Sequence, residues 1–81
     1  MTSTVFHIAA DWDSEAEVWV ATSEDVPGLV TEAATVESLT EKLRILIPEL
    51  LGANGLLKGA HPDAISFELV SHRQELVRLA S

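Results

Sequence analysis

The residues best suited to bind a metal lie in the loop after the first predicted strand and at the start of the second. Four acids alternate there: Asp11, Asp13, Glu15 and Glu17. Carboxylate oxygens are preferred calcium ligands, but an EF-hand loop counted from Asp11 needs Gly and Glu where this chain has Ala16 and Thr22. Alternating side chains at the end of a strand also point in opposite directions. We therefore predict a solvated hairpin tip and no metal.

Signatures of covalent catalysis are also missing from the sequence. There is no cysteine, no serine stands in a Gly-x-Ser-x-Gly elbow, and the four glycines form no phosphate-binding loop. His7, His61 and His72 do not have metal-ligand spacing. We expect His7 on a strand, as a packed or sheet-face residue, and His61 in an exposed loop. We predict no enzymatic activity and no cofactor. The alternative is an orphan metal-dependent hydrolase that uses Asp11 or Asp13.

The charge of the chain narrows the choice of partners. Thirteen Asp and Glu residues oppose five Lys and Arg residues, which gives a formal net charge of −8. The first forty-one residues contain no Lys or Arg. Because a nucleic-acid binder needs clustered cations to neutralise phosphates, we expect no direct DNA or RNA binding. A basic protein would instead be steered toward this chain. The alternative is that the charge serves only solubility.

The length of 81 residues allows one domain, residues 1–81. A domain this short buries only about 60% of its unfolded surface, and no disulfide can stabilise it. The hydrophobic fraction of 47% is high for such a small body. We therefore expect a homodimer or a higher homo-oligomer.

Targeting signals are not evident in the sequence. The start, Met1 to Thr4, has no basic region before an apolar run, so we expect no signal peptide. The longest apolar-rich stretch, Leu43 to Leu51, is interrupted by charges and a proline and is too short to span a bilayer. A chain without cysteine is compatible with the cytosol. We predict a cytoplasmic protein that does not bind membranes.

Hydrophobic periodicity predicts four strands and one helix. Alternation and β-branched content favour strands over residues 4–10, 17–22, 28–33 and 65–70, with a hairpin loop over residues 11–16. Pro27-Gly28 fits the centre of a type II turn. A stripe of leucines and isoleucines predicts a helix that Thr35 caps and Asn54-Gly55 ends. Pro48 predicts a kink or a restart within it.

Two segments have less clear patterns. Residues 56–63 are predicted as a loop that contains Gly59 and Pro62. In the tail, residues 72–81, Leu76, Val77 and Leu79 could either extend the fourth strand or form a short helix.

The element order β-β-β-α-β predicts an α+β fold. Three sequential strands would form a meander, the helix would pack on one face of the sheet, and the fourth strand would join an edge. The second face would then stay uncovered. If Val18 and Val20 face the helix, Trp19 lies on the uncovered face as an interface anchor. Otherwise Trp19 belongs to the core.

Three segments of the chain resemble HicB-like antitoxins over roughly residues 4–72. The run from Ser23 to Leu39 has the order aspartate, aliphatic, Pro-Gly, short strand, Thr cap and helix. The segments Trp12–Trp19 and Ile47–Leu51 are similar to an uncharacterised short subfamily that has Trp-Asp-x-Glu-x-x-Val-Trp and Ile-Pro-Glu-Leu-Leu.

This resemblance implies a partial RNase H-like fold that acts as a binding domain. Enzymes of that fold use clustered carboxylates, one of them in the first strand, whereas Val5 to Ala10 contains no acid. HicB-like proteins neutralise HicA-like toxins, which are small basic ribonucleases that cut mRNA with a histidine. Family members commonly carry a C-terminal DNA-binding domain. Only eleven residues follow Val70, so we expect no operator binding.

The resulting hypothesis is an antitoxin that blocks a basic HicA-like toxin by occlusion. Its partner-binding residues fall into two predicted groups. Four acids would steer the toxin: Asp11, Asp13, Glu24 and Asp25. Two tryptophans would supply apolar contact: Trp12 and Trp19. The alternative is a general homo-oligomeric interaction module without a toxin partner.

Overall fold

The computed structural model describes residues 5–56 and 64–80. Its elements follow the predicted order: β1 Val5–Asp13, β2 Val18–Thr22, β3 Val30–Ala33, α1 Val36–Ala53 and β4 Ser66–His72. The strands form one mixed sheet in the order β3-β2-β1-β4. β1–β2 and β2–β3 are antiparallel, and β4 is parallel to β1. The α+β class, the meander and the edge position of β4 are confirmed. Residues 57–63, and with them His61, lie outside the described residues.

The first hairpin is tighter than predicted. β1 continues through Asp13, because Asp11 pairs with Val20 and Trp12 pairs with Trp19. The prediction of a loop from residue 11 is therefore wrong, and the turn begins only after Asp13. Asp is a poor strand former, but the cross-strand aromatic pair stabilises the extended ladder.

The turn before β3 and the cap of α1 match their sequence signals. The amide of Leu29 donates to the carbonyl of Val26 over 3.1 Å, and Gly28 has a φ of 84°. The turn places Val26 and Leu29 in the core, so β3 begins two residues later than predicted. Thr35 Oγ1 accepts a hydrogen bond from the amide of Ser38 over 3.0 Å and caps the helix as predicted.

The helix α1 runs without interruption through Pro48, which lies exposed inside it. The predicted restart is therefore wrong. The end at Asn54-Gly55 is confirmed: Gly55 has a φ of 70°, and the amide of Leu56 donates to the carbonyl of Leu51 over 2.9 Å. This is a Schellman arrangement. Four fully buried side chains form the stripe that packs on the sheet: Leu39, Leu43, Ile47 and Leu51.

The two faces of the sheet differ in what covers them. We call the face under α1 the covered face; its residues are Phe6, Ile8, Ala10, Trp12, Trp19, Ala21, Thr31, Ala33, Phe67, Leu69 and Ser71. We call the other face the open face; its residues are Val5, His7, Ala9, Asp11, Asp13, Val18, Val20, Thr22, Val30, Glu32, Ser66, Glu68, Val70 and His72. In the described part of the chain, no helix or strand packs on the open face. The predicted alternation in β4 is confirmed.

Trp19 lies on the covered face and is only 9% exposed. Val18 and Val20 point to the open face instead. Trp19 is therefore a core residue and not an anchor on the uncovered face, which were the two positions that the sequence left open. Trp19 faces Ala33 on the neighbouring strand, whose small side chain leaves room for the indole.

The residues after β4 adopt neither of the predicted structures. Residues 73–80, which we call the arm, are exposed and form neither helix nor strand. Three of their apolar side chains are 75–91% exposed: Leu76, Val77 and Leu79. No helix in the described ranges combines the length and the hydropathy that crossing a bilayer requires.

Candidate protein-binding surface

The open face carries a stripe of mainly apolar residues across all four strands. The strand register aligns Val70, Ala9, Thr22 and Val30 in one row. Val30 is 70% exposed and Val70 is 42% exposed. The two exposed valines at the ends of this row offer a partner an apolar contact without any rearrangement of the sheet.

Acids border this stripe on both sides. One neighbouring row aligns His72, Asp11, Val20 and Glu32, and the other places Glu68 beside His7. The carboxylates of Asp11, Glu32 and Glu68 belong to exposed residues. A mainly apolar centre with a polar rim is the usual composition of a protein interface. The sign of the rim favours a basic partner.

Asp11 and Asp13 differ in what they contact. Asp13 Oδ1 accepts hydrogen bonds from the amides of Glu15 and Ala16, over 3.0 and 3.1 Å, and so shapes the hairpin turn. Asp11 Oδ1 lies 3.8 Å from Nδ1 of His72, on the open face. Asp11 is therefore the better placed of the two for contact with a partner, while Asp13 also has a structural role.

Beyond the end of β2, the side chains of Asp25 and Ser23 form the hydrogen bonds to β1 that a paired strand would otherwise make. The last β1–β2 pair is Ala9 with Thr22, so the backbone of His7 has no strand partner on that side. Asp25 Oδ2 accepts from the amide of His7 over 2.7 Å and lies 3.0 Å from its Nδ1. Ser23 Oγ donates to the carbonyl of His7 over 2.6 Å. Hydrogen bonds from the His7 amide and then from its ring hold the pKa of Asp25 below 3.8.

Ser23, His7 and Asp25 are the residue types of a hydrolytic triad, but their hydrogen bonds serve the backbone. Ser23 Oγ also accepts from the amides of Asp25 and Val26, over 3.0 and 3.2 Å. Its hydroxyl proton is directed at a carbonyl and not at an imidazole. The cluster therefore positions the loop that leads to Pro27. Sequence reasoning missed Ser23, although the pattern Ser-x-Asp is typical of a side-chain turn.

Trp12 and Trp19 pack against each other in a tilted arrangement at the hairpin end of the covered face. Their ring centroids lie 5.3 Å apart with an interplanar angle of 60°. The guanidinium carbon of Arg73 lies 4.0 Å from the centroid of Trp12 and 5.9 Å from that of Trp19. Arg73 therefore makes a cation–π contact that closes the end of the core. No signal in the sequence predicted it, because about sixty residues separate Arg73 from Trp12.

The six predicted partner-binding residues do not form one patch. Asp11 and Asp13 lie near the hairpin, whereas Glu24 and Asp25 lie beside His7, about 13 Å away along β1. Trp12 and Trp19 lie on the covered face, where Trp12 is the more exposed. Their role in binding stays a prediction. Four other open-face residues were not selected from the sequence, although strand alternation predicts their position: Val30, Glu32, Glu68 and Val70.

Metal-binding groups do not converge in the described ranges. Within residues 5–56 and 64–80, no three His, Asp or Glu side chains lie close enough together to hold an ion. The acids of the open face are spread across different rows and strands, which suits a broad electrostatic surface.

Comparison with known proteins gives two matches. The sequence model of a family described as "Domain of unknown function (DUF1902)" matches residues 5–81. A crystal structure of a hypothetical protein from the extremely thermophilic bacterium Thermus thermophilus is 43% identical, with a TM-score of 0.68. The match covers 94% of this chain and 100% of that one. No curated protein matches significantly. Neither description names a ligand, a partner or a reaction.

Proposed function

The chain belongs to the DUF1902 family, and we propose that it is a non-catalytic protein-binding domain whose open face receives a basic partner protein. The observation that carries this proposal is the acidic rim around exposed valines on a sheet face that no described element covers. The net charge of −8 supports the same choice of partner.

The specific partner that we propose is a HicA-like toxin, an mRNA-cleaving ribonuclease. This step rests on the resemblance of Ser23–Leu39 to HicB-like antitoxins. The toxin would be neutralised by occlusion: the acidic open face would cover the basic surface with which the toxin binds RNA. An inhibitor of an mRNA-cleaving enzyme acts where mRNA is, so the proposal includes a cytoplasmic location.

Charge reversal on the open face tests the binding surface. We expect Asp11→Lys combined with Glu32→Lys to weaken binding to the basic partner by at least about tenfold, mainly through a slower association rate at low salt. The control is Glu49→Lys on α1, an exposed position on the opposite side of the sheet. The partner would first be captured from the native host with the wild-type chain, and binding rates would then be measured at several salt concentrations. Equal loss with Glu49→Lys would contradict the open-face assignment.

A growth assay tests the antitoxin role. Co-expression should rescue cells from the product of the adjacent gene, and the Asp11→Lys, Glu32→Lys variant should rescue less well than Glu49→Lys. If the host yields no small basic protein and no adjacent gene product is neutralised, the antitoxin role is wrong.

A second candidate function is a general homo-oligomeric interaction module. It is favoured by the exposure of Leu76, Val77 and Leu79 in the arm. In that case charge reversal at Asp11 and Asp13 should leave self-association largely intact and no toxin should be found.

The third hypothesis, an orphan metal-dependent hydrolase, predicts a magnesium-dependent activity that is lost when Asp11 or Asp13 is replaced. A nuclease screen with added divalent metals measures it directly. No activity in that screen would remove this hypothesis, and so would activity that survives in both Asp11→Asn and Asp13→Asn.

A further inference from the structure

The arm and the outer edge of β4 belong to one continuous segment, and both have groups that nothing in the described residues covers. β4 is an edge strand in the sheet order, so its outer backbone groups have no strand partner in the described residues. The arm that follows has three large apolar side chains in solvent. A strand edge offers hydrogen bonds, and an exposed apolar segment can use them by strand addition.

The arm leads away from its own sheet. β4 ends at His72, level with Asp11, and only Trp12 and Asp13 lie further along β1. The molecule is 63 Å long but only 25 and 19 Å in its other dimensions. Its radius of gyration is 15.5 Å, compared with about 12 Å expected for a compact chain of this length. Residues 73–80 contain no Gly or Pro that would favour a turn back.

We propose that a second copy of this chain binds the arm: two β4 edges pair antiparallel about a two-fold axis, and each arm extends along β4 of the other copy. The axis passes between the two Arg73 residues. Residues 66–80 of each copy then form one strand about 50 Å long. The result is a continuous eight-stranded sheet. This interface is independent of the proposed toxin-binding function.

We chose the register of the two paired segments from the side chains that would lie opposite each other. With Arg73 at the axis, Arg78 of one copy lies opposite Glu68 of the other on the open face. Leu76 lies opposite Val70 on the same face. On the covered face, Val77 and Leu79 lie opposite Leu69 and Phe67. A shift by two residues in either direction breaks the ion pair and places Leu76 opposite Glu68 or His72.

A depression on the covered face supports this register. It has a volume of about 110 Å³ and lies between α1 and the start of β4. Its lining is mainly apolar: Leu43, Arg44, Ile47, Pro48, Ile65 and Phe67. Since Leu79 of the second copy lies opposite Phe67, its side chain reaches this depression. Burial there removes from water both Leu79 and the part of the Phe67 ring that is still exposed.

The two Arg73 side chains do not repel each other across the axis. Each guanidinium lies over Trp12 of its own β1 and contacts its own Glu75, so its charge is held on the inner side of β4. The arm also carries Arg73 and Arg78 against a single acid, Glu75, in a chain whose net charge is −8. Charge therefore favours contact between the arm and Glu68 on β4 of a second, acidic copy.

The mass of the full chain in solution, measured by sedimentation, tests the pairing. We expect a dimer of twice 8.8 kDa. Leu79→Asp should weaken dimerisation by about a hundredfold or more, because the two-fold axis doubles every loss. The matched control Ile45→Asp, at a 69% exposed position on α1, should leave the dimer unchanged. A monomer at all concentrations, or a dimer that tolerates Leu79→Asp, overturns the proposal.

A charge swap tests the register. Arg78→Glu alone and Glu68→Arg alone should each weaken the dimer by about tenfold, since each places like charges opposite one another twice. The double variant should restore it, and Lys42→Glu on α1, whose ammonium contacts Glu32 of β3 at the other edge of the sheet, is the control for net charge. A double variant no tighter than the single variants overturns the register.

Disulfide trapping gives a second, independent readout in a chain without cysteine. Directly opposite antiparallel residues have Cα atoms about 4.5–5.5 Å apart, which a disulfide can bridge. The variant Val70→Cys, Leu76→Cys should form a covalent dimer on mild oxidation, whereas Val70→Cys, Ile45→Cys should not. The absence of a covalent dimer in the first variant overturns the register.

Discussion

The same strands build two faces with opposite compositions. On the covered face, Ile8 is 1% exposed and Ala10 and Ala21 are fully buried. The alanines keep the sheet surface low, so the leucines of α1 can pack closely on it. On the open face the alternate residues are valines and acids that stay in contact with water. Stability therefore comes mainly from the covered face, and the open face can carry charge without any cost to the core.

The largest expected change in stability is on the covered face. We expect Leu43→Ala to lower the free energy of unfolding by about 2–5 kcal/mol, because it leaves a cavity in the packed interface between α1 and the sheet. Ile45→Ala, two residues along the helix and 69% exposed, should change it by less than about 0.5 kcal/mol. Urea denaturation followed by circular dichroism measures both. Similar losses would show that α1 does not separate a buried side from an exposed one.

Alanine substitutions at two glycines test the geometry of the turn that places Val26 and Leu29 under the helix. Gly28 has a φ of 84°, so Gly28→Ala should cost about 1–2 kcal/mol in backbone strain, although the new Cβ has room at 3.8 Å from Leu50. Gly52 lies in α1 with open space around it, so Gly52→Ala should stabilise by about 0.5–1 kcal/mol. Thermal unfolding measures whether each substitution raises or lowers the stability. A Gly28→Ala variant as stable as the wild type would contradict the turn geometry.

The cation–π contact at the end of the covered face should have a smaller effect. Arg73→Ala should lower the free energy of unfolding by about 0.5–1 kcal/mol and change the tryptophan emission, since the cation over Trp12 is lost. Arg44→Ala on α1 should leave the emission unchanged. An emission spectrum insensitive to Arg73 would mean that its guanidinium does not cover the indoles in solution.

The smallest expected effect comes from Asp25, at the edge of the open face, which should make the free energy of unfolding depend on pH. Its pKa in the folded chain is below the usual 3.8, so the unfolded chain binds more protons as the pH falls. The stabilisation is therefore complete above pH 3.8 and is lost as the pH falls through the lower folded pKa. The stability difference between wild type and Asp25→Asn should shrink over that range. Glu24→Gln, the adjacent exposed acid, is the control, and an equal pH dependence there would contradict the role of Asp25.

Local signals in the sequence predicted most of the fold correctly. The Thr35 cap, the Pro27-Gly28 turn, the Asn54-Gly55 end and the alternation in β4 all depend on neighbours within a few residues. The open face followed from the count of elements, since one helix can cover only one side of a four-stranded sheet. Within the candidate site, the acidic character was predicted, but its centre was placed at the hairpin and the loop after β2 instead of along the strands.

The amino-acid sequence alone determined the element order, the helix boundaries and the excess of acids, because each of these depends on residue type and short spacing. Only the tertiary structure decided the length of β1, the burial of Trp19, the bonds of Asp25 to His7 and the exposure of the arm. The first three features depend on a partner distant in the chain, and the apolar side chains of the arm are exposed because they pack on no such partner among the described residues. Which partner is reached is decided by strand register and packing, for which no local residue pattern is specific.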